Sequence, residues 1–257
     1  MLDPGESCVR RRGVDCAERF MSSIIAECDE VSKLYGTFAA LRKVSVRLER
    51  GRCYLVLGEN GAGKSTLLRT LAGLLKPSYG KVRLFGGDGA APGVGGAPME
   101  ARDRIGYMSH ATMLYDEFSG VENLRYFASL YRGRDCVAPE EALRSVGLDP
   151  ALARPVGQYS QGMKQRASLA RVLISRPELL LLDEPFSNMD IGSAHQMLRL
   201  LETFRSEQRT IVLTTHQREL AEPLADFVLT LEAGAVASLE DGPYGKQGAM
   251  GLAVLRG

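Results

Sequence analysis

The sequence predicts an α/β protein built on a parallel sheet covered on both faces, and three observations carry that expectation. Apolar stretches at CYLVLG, LLLL and TIVLTT alternate with segments of helical periodicity, the pattern of strands buried on both sides. The glycine-rich GENGAGKST at 58–66 lies between the first of those strands and the helix-like LLRTLAGLL. Two carboxylates, Asp183 and Glu184, end the leucine run, at the strand terminus where open α/β sheets take their ligands.

Composition sets the outer bounds. The chain has 257 residues, 45% of them hydrophobic and 25% charged, which suits one large α/β domain or two small ones. Lys+Arg 32 against Asp+Glu 31 leaves a net charge of +1, so the overall balance makes no electrostatic case for nucleic acid or an anionic membrane. Cys8, Cys16, Cys28, Cys53 and Cys136 are scattered, without a CxxC pair, which argues against a zinc site or disulfide framework and for a reduced compartment. No apolar run approaches the ~20 residues needed to cross a bilayer, and the Arg-rich opening lacks a signal-type apolar stretch.

Taken in order, residues 1–23 are expected to be a loose extension, followed by a domain over 24–240 and a tail over 241–257. CDEVSKLYG and LRKVSVRLERG are strands, the second alternating Val44, Val46 and Leu48 as a half-buried strand does. CYLVLG is a third strand, and the helix after GENGAGKST stops at Lys76-Pro77. GKVRLFGG and RIGYMSH are short strands, separated by a Gly/Ala/Pro-rich surface loop over 87–103 to which no chemistry is assigned. VENLRYFASLYR and PEEALRSVGL are helices with no strand between them, so a helical subdomain is expected over about 117–176. It closes with SQGMKQRASLARVLISRP, which starts at a capping serine and ends at a proline. The strand ELLLLDEP, the amphipathic helix SAHQMLRLLETFRSEQR and the strand TIVLTTH follow.

Gly58, Gly63, Lys64 and Ser65 fit the pattern G-x-x-x-x-G-K-[ST] in the strand–loop–helix context that motif requires. Its glycines, with Asn60 and Gly61 between them, let backbone N–H groups turn toward phosphate oxygens, and the following helix adds its positive end. Lys64 is suited to the β and γ phosphates, Ser65 to Mg²⁺, and Thr66 completes the ATP-binding loop. Adjacent carboxylates at a buried strand end need a nearby cation. Asp183 therefore suits the metal role of phosphate-loop proteins, and Glu184 is placed to orient or deprotonate an attacking water. These features alone leave a nucleotide hydrolase or a small-molecule kinase open.

The remaining motifs narrow the class. YSQGMKQR at 159–166 resembles the LSGGQ signature of the ABC ATPases, with Ser160 and Gly162 kept. SNMD resembles their dimer-contacting aspartate loop, through Asp190, and TTH their switch histidine, His216. KLYG resembles their aromatic loop, where Tyr35 would stack on adenine; Phe38 is a rival for that role, and packing of Tyr35 on the sheet is the plain alternative. These motifs occur in family order over roughly residues 24–240. The resemblance implies a P-loop NTPase of the ABC type: an N-terminal antiparallel β part, an α/β core, an inserted helical subdomain, and ATP with Mg²⁺ as cofactors.

It further implies that two such domains sandwich two ATP molecules, Ser160 and Gly162 of one copy meeting the γ-phosphate held by Lys64 of the other. Glu184 would act on water and His216 on the γ-phosphate. The expected partners are a second copy, or a related ATPase subunit, and an integral membrane permease, with no nucleic acid. The place implied is the cytoplasmic face of the cell membrane. His195 is expected at the surface or in packing. His110 stands where most ABC ATPases have a glutamine that contacts Mg²⁺ and the attacking water; the alternative, that a neighbour is the true equivalent and His110 is loop surface, stays open. SHATMLYDEFSGVENLRYFASLY resembles ATPases of the haem exporter in cytochrome c maturation, with a drug or lipid exporter ATPase close behind. The rival class is a soluble ABC protein of translation or DNA repair.

Overall fold

Period-two burial organises the first sheet in the computed structural model, which describes residues 23–86, 99–131, 135–207 and 209–244. β1 (Ile24–Tyr35) and β2 (Phe38–Glu49) form an antiparallel hairpin. Val44, Val46 and Leu48 point into the core while Lys43 and Ser45 face outward, as their alternation requires. The chain then runs through β3 (Cys53–Leu57) and α1 (Lys64–Leu71) before β4 (Tyr79–Leu84) returns to pair with β1, giving a three-stranded sheet of order β2-β1-β4.

β3 belongs to the second sheet. Past α2 (Met99–Arg102), the single helical turn found at the end of the expected loop, come β5 (Ile105–Met108) and three helices, α3 (Gly120–Leu130), α4 (Pro139–Ser145) and α5 (Gln161–Leu173). β6 (Leu179–Asp183), α6 (Ile191–Ser206), β7 (Thr210–Thr214), the short α7 (Arg218–Ala221), β8 (Phe227–Glu232) and β9 (Ala235–Asp241) complete the chain. The six-stranded order is β5-β6-β7-β3-β8-β9, parallel except for β9, which runs antiparallel to β8. β8 and β9 were not expected from the sequence; β8 lies directly beside β3 and carries its outer register.

The leucine run is explained by a core on each side of this sheet. Leu180 and Leu182 of β6 join Leu55, Ile211 and Leu213 on the side covered by α3, α5 and α6. Leu179 and Leu181 join Tyr54, Val56, Val212 and Leu229 on the side covered by β1, β2 and α1. A strand buried on both faces has no position for a polar side chain until its end, so the first carboxylate appears at Asp183. Truncating a leucine in such a strand to alanine costs about 2–5 kcal/mol.

The helices are punctuated by their own residues. Ser119 and Glu122 form a capping box at α3, and Ser160 and Asp190 accept backbone N–H bonds at the starts of α5 and α6; caps of this kind are worth about 1 kcal/mol each. The buried stripe of α6 is Ala194, Met197, Leu201 and Phe204, spaced to face one side. α3, α4 and α5 pack on one another between β5 and β6. Residues 1–22 and 87–98, with 245–257, lie outside the described residues, and with them most of the expected extension, surface loop and tail.

Candidate active site

Glycine geometry makes the phosphate loop. Gly58, Gly61 and Gly63 have φ of 147°, 84° and 100°, in the half of backbone space that disfavours side chains. A Cβ on Gly58 would run into the carbonyl oxygen of Leu231, and one on Gly63 into that of Ala40. The loop is thus pressed between β8 and β2, with its peptide groups lining a cleft and α1 starting at its end. Lys64, only 7% exposed, donates from Nζ to the carbonyl oxygens of Gly58 and Glu59, at 2.7 and 3.0 Å.

Across the loop stands the end of β6. Asp183 Oδ1 accepts hydrogen bonds from Ser65 Oγ and Thr214 Oγ1, both at 2.9 Å. Thr214 Oγ1 also accepts from the backbone N–H of Glu184 at 3.0 Å. Glu184 is in the left-handed region at φ 55°. Its Oε2 accepts from the His216 backbone N–H at 3.2 Å. Its Oε1 lies 3.3 Å from His216 Nε2, in an alignment that makes no hydrogen bond, which leaves a buried carboxylate oxygen without a donor. His110 Nδ1 sits 3.3 Å from Ser187 Oγ.

Most of these groups line one cleft of about 480 Å³. It gathers Asn60, Gly61, Gly63, Lys64, Ser65 and Thr66 with Asp183, Glu184, His216 and His110. Tyr35 and Phe38 both stand at its mouth, 48% and 59% exposed, so both candidates for base stacking are in reach. The loop N–H groups and the Lys64 ammonium suit a polyphosphate, and the Ser65 hydroxyl and Asp183 carboxylate are hard oxygen donors of the kind Mg²⁺ takes. Among the described residues no three His, Cys, Asp or Glu side chains converge to hold a metal by themselves, so a cation here would share its shell with phosphate oxygens.

Gly58, Ser160, Gly162 and Asp190 do not line this cleft. Gly58 acts through its backbone as a Lys64 acceptor. Ser160 caps α5 at an exposed turn. Gly162 is pressed against Ser193, whose side chain would occupy the space of any Cβ. Asp190 accepts from the Ser193 hydroxyl at 2.6 Å and backbone at 2.9 Å, and those two bonds hold its carboxyl below the usual aspartate range. The starts of α5 and α6 therefore meet at the surface, outside the cleft that holds Lys64. His195 is exposed, with Nδ1 2.7 Å from the Ile191 carbonyl oxygen. Thr214 and Ser187 were missed in the sequence; the position of Thr214, two before His216 at a strand end facing a carboxylate, was the available signal.

Comparison with known proteins agrees with the geometry. The family described as ABC transporter matches residues 41–187. The ABC transporter ATP-binding protein NatA of Bacillus subtilis is 35% identical over 226 residues, which cover 86% of this chain and 85% of that protein. The Nod factor export ATP-binding protein I of Rhizobium johnstonii is 36% identical over 225 residues, 86% of this chain and 70% of that one. A bacterial ABC transporter cassette solved as a dimer superposes with a TM-score of 0.71 at 26% identity, covering 84% of this chain and 98% of the other. The chain belongs to the ABC transporter family, as one of its ATP-hydrolysing, ATP-binding domains.

Proposed function

We propose that this ATPase works as a pair, closing on ATP between two copies and driving a separate membrane permease that exports its substrate. The observation that supports this most is the split site. Lys64, Ser65, Asp183, Glu184 and His216 share a cleft, whereas Ser160 and the N-terminal end of α5 present their capping geometry to solvent elsewhere. A helix N-terminus is an anion site, and a phosphate held by another copy would supply its anion. In the pair, Ser160 and Gly162 of one copy face the γ-phosphate held by Lys64 of the other, with Asp190 nearby. Tyr35 or Phe38 stacks on the base.

Glu184 carries the chemistry toward water. Its unpartnered Oε1 is an acceptor for one proton of the attacking water, held by the backbone bond at Oε2. His216, adjacent to it, is placed to donate to the γ-phosphate. Ser65 and Asp183 would hold Mg²⁺, which when bound offsets charge on the phosphates.

The permease docks beside His110 and the exposed Tyr115, Phe118 and Tyr126, on the membrane's cytoplasmic side; none of the described helices is long and apolar enough to cross a membrane. Export is supported by the Nod factor relative. The finer haem-exporter reading is supported by the segment around His110 alone, and neither relative described above carries that name.

Glu184→Gln keeps the size of the side chain but removes the base, so it should bind ATP, hydrolyse it at least about 100-fold more slowly, and accumulate as a dimer in gel filtration with ATP and Mg²⁺. A monomer peak under those conditions, with ATP shown to be bound, would sink the paired mechanism.

A further inference from the structure

The Ser187 hydroxyl makes the one hydrogen bond that the His110 ring has among the described residues, at 3.3 Å from Nδ1. Both residues line the nucleotide cleft. They come from loops that the sequence separates widely: His110 follows β5, and Ser187 follows β6 in the turn that carries Glu184. That turn is tight. The Ser187 backbone N–H donates to the Glu184 carbonyl oxygen at 3.1 Å, and Glu184 and Asn188 both have positive φ, 55° and 57°. A force on Ser187 thus reaches the Glu184 backbone through one hydrogen-bonded turn.

We propose that Ser187 is a positioning residue for His110, fixing the imidazole so that Nε2 serves the cleft and tying the end of β5 to the turn bearing the general base. An imidazole has only two polar atoms, so a partner at one of them fixes the direction in which the other points. A glutamine at this position would carry both a donor and an acceptor at its tip and would have less need of such a partner. Downstream of His110 lies the exposed Tyr115–Phe118–Tyr126 surface, so the pair also links that surface to Glu184. This rests on the reading of His110 as the residue in the glutamine position.

The test is a double-mutant cycle on the full chain, measuring kcat and KM for ATP with Mg²⁺. Ser187→Ala and His110→Ala should each lower kcat by about three- to tenfold, the size of one positioned hydrogen bond, with KM nearly unchanged. The double variant should be no slower than the worse single one, and Ser187→Thr, which restores a hydroxyl, should recover most of the rate. Losses that multiply in the double variant, or a Ser187→Ala protein of wild-type kcat beside a slow His110→Ala, would overturn the link while leaving the role of His110 in place. A wild-type rate in His110→Ala would overturn the His110 reading and the link with it. A loss of thermal stability in Ser187→Ala without a change in kcat would assign the serine to the fold alone.

Discussion

Thr214 is fully buried at the end of β7, and its one hydroxyl serves two neighbours: it donates to Asp183 and accepts from the backbone N–H of Glu184. Replacing it with valine keeps the shape and removes both bonds. Thr214→Val should cost about 1–3 kcal/mol of stability, since an N–H and a carboxylate oxygen lose buried partners, and should lower kcat about tenfold by loosening Glu184. Urea unfolding and steady-state kinetics check the two effects separately; a normal kcat in a destabilised protein would confine Thr214 to the fold. The residues that the sequence made legible here, Lys64, Ser65, Asp183 and Glu184, sit in patterns whose spacing is set by phosphate and metal chemistry. Thr214 and Ser187 are ordinary hydroxyl residues whose importance comes from what lies opposite them in space, and the place of Thr214 two before His216 is the one local hint of it.

At the level of elements, the start of β6 is pinned by charge. Glu178 accepts from Arg104 Nε at 2.6 Å and from its Nη2 at 2.8 Å, and from Arg50 Nη1 at 2.7 Å. This ties the approach to β5 and the end of β2 to the strand that carries Asp183. The hydrogen bonds from Arg104, against some desolvation, and then those from Arg50 hold the Glu178 carboxyl below its ordinary value of 4.5. A carboxyl that titrates lower when folded favours the folded state once ionised. Its contribution is therefore complete above the ordinary value and fades as pH falls through the lower, folded one. The side chain is 41% exposed, so after solvent screening Glu178→Gln should cost about 0.5–1 kcal/mol at pH 7. The gap in melting temperature between variant and wild type should close as pH falls from above the ordinary value through the lower, folded one; a gap independent of pH would mean that the pairing contributes through packing rather than charge. Elements with strong local signals, such as the doubly buried β6 and the capped α5, are legible in the sequence. The β8–β9 hairpin was not, although FVLTLE is apolar and Ala233 and Gly234 both turn with positive φ. No chemical motif marks that stretch, and its place beside β3 is decided by tertiary pairing.

The molecule as a whole joins a strand-end cleft to a two-sided core, so nucleotide binding should register as global stability. A ligand present at 100 times its dissociation constant adds about 2.7 kcal/mol. A domain of about 150–250 residues gains roughly 2–4 °C per kcal/mol, so ATP with Mg²⁺ should raise the melting temperature by about 5–10 °C. Lys64→Ala should abolish that shift without lowering the unliganded melting temperature much, because among the described residues the Lys64 ammonium bonds only to the two loop carbonyls it would exchange for phosphate. The dependence on protein concentration then separates one-chain from two-chain binding. If each ATP is held by Lys64 of one copy and the α5 terminus of the other, the shift in Glu184→Gln must grow as the protein is made more concentrated, because association and binding are linked. A shift of the same size at low and high protein concentration would mean that the cleft binds ATP completely by itself, and the exposed end of α5 would then have no part in holding the nucleotide.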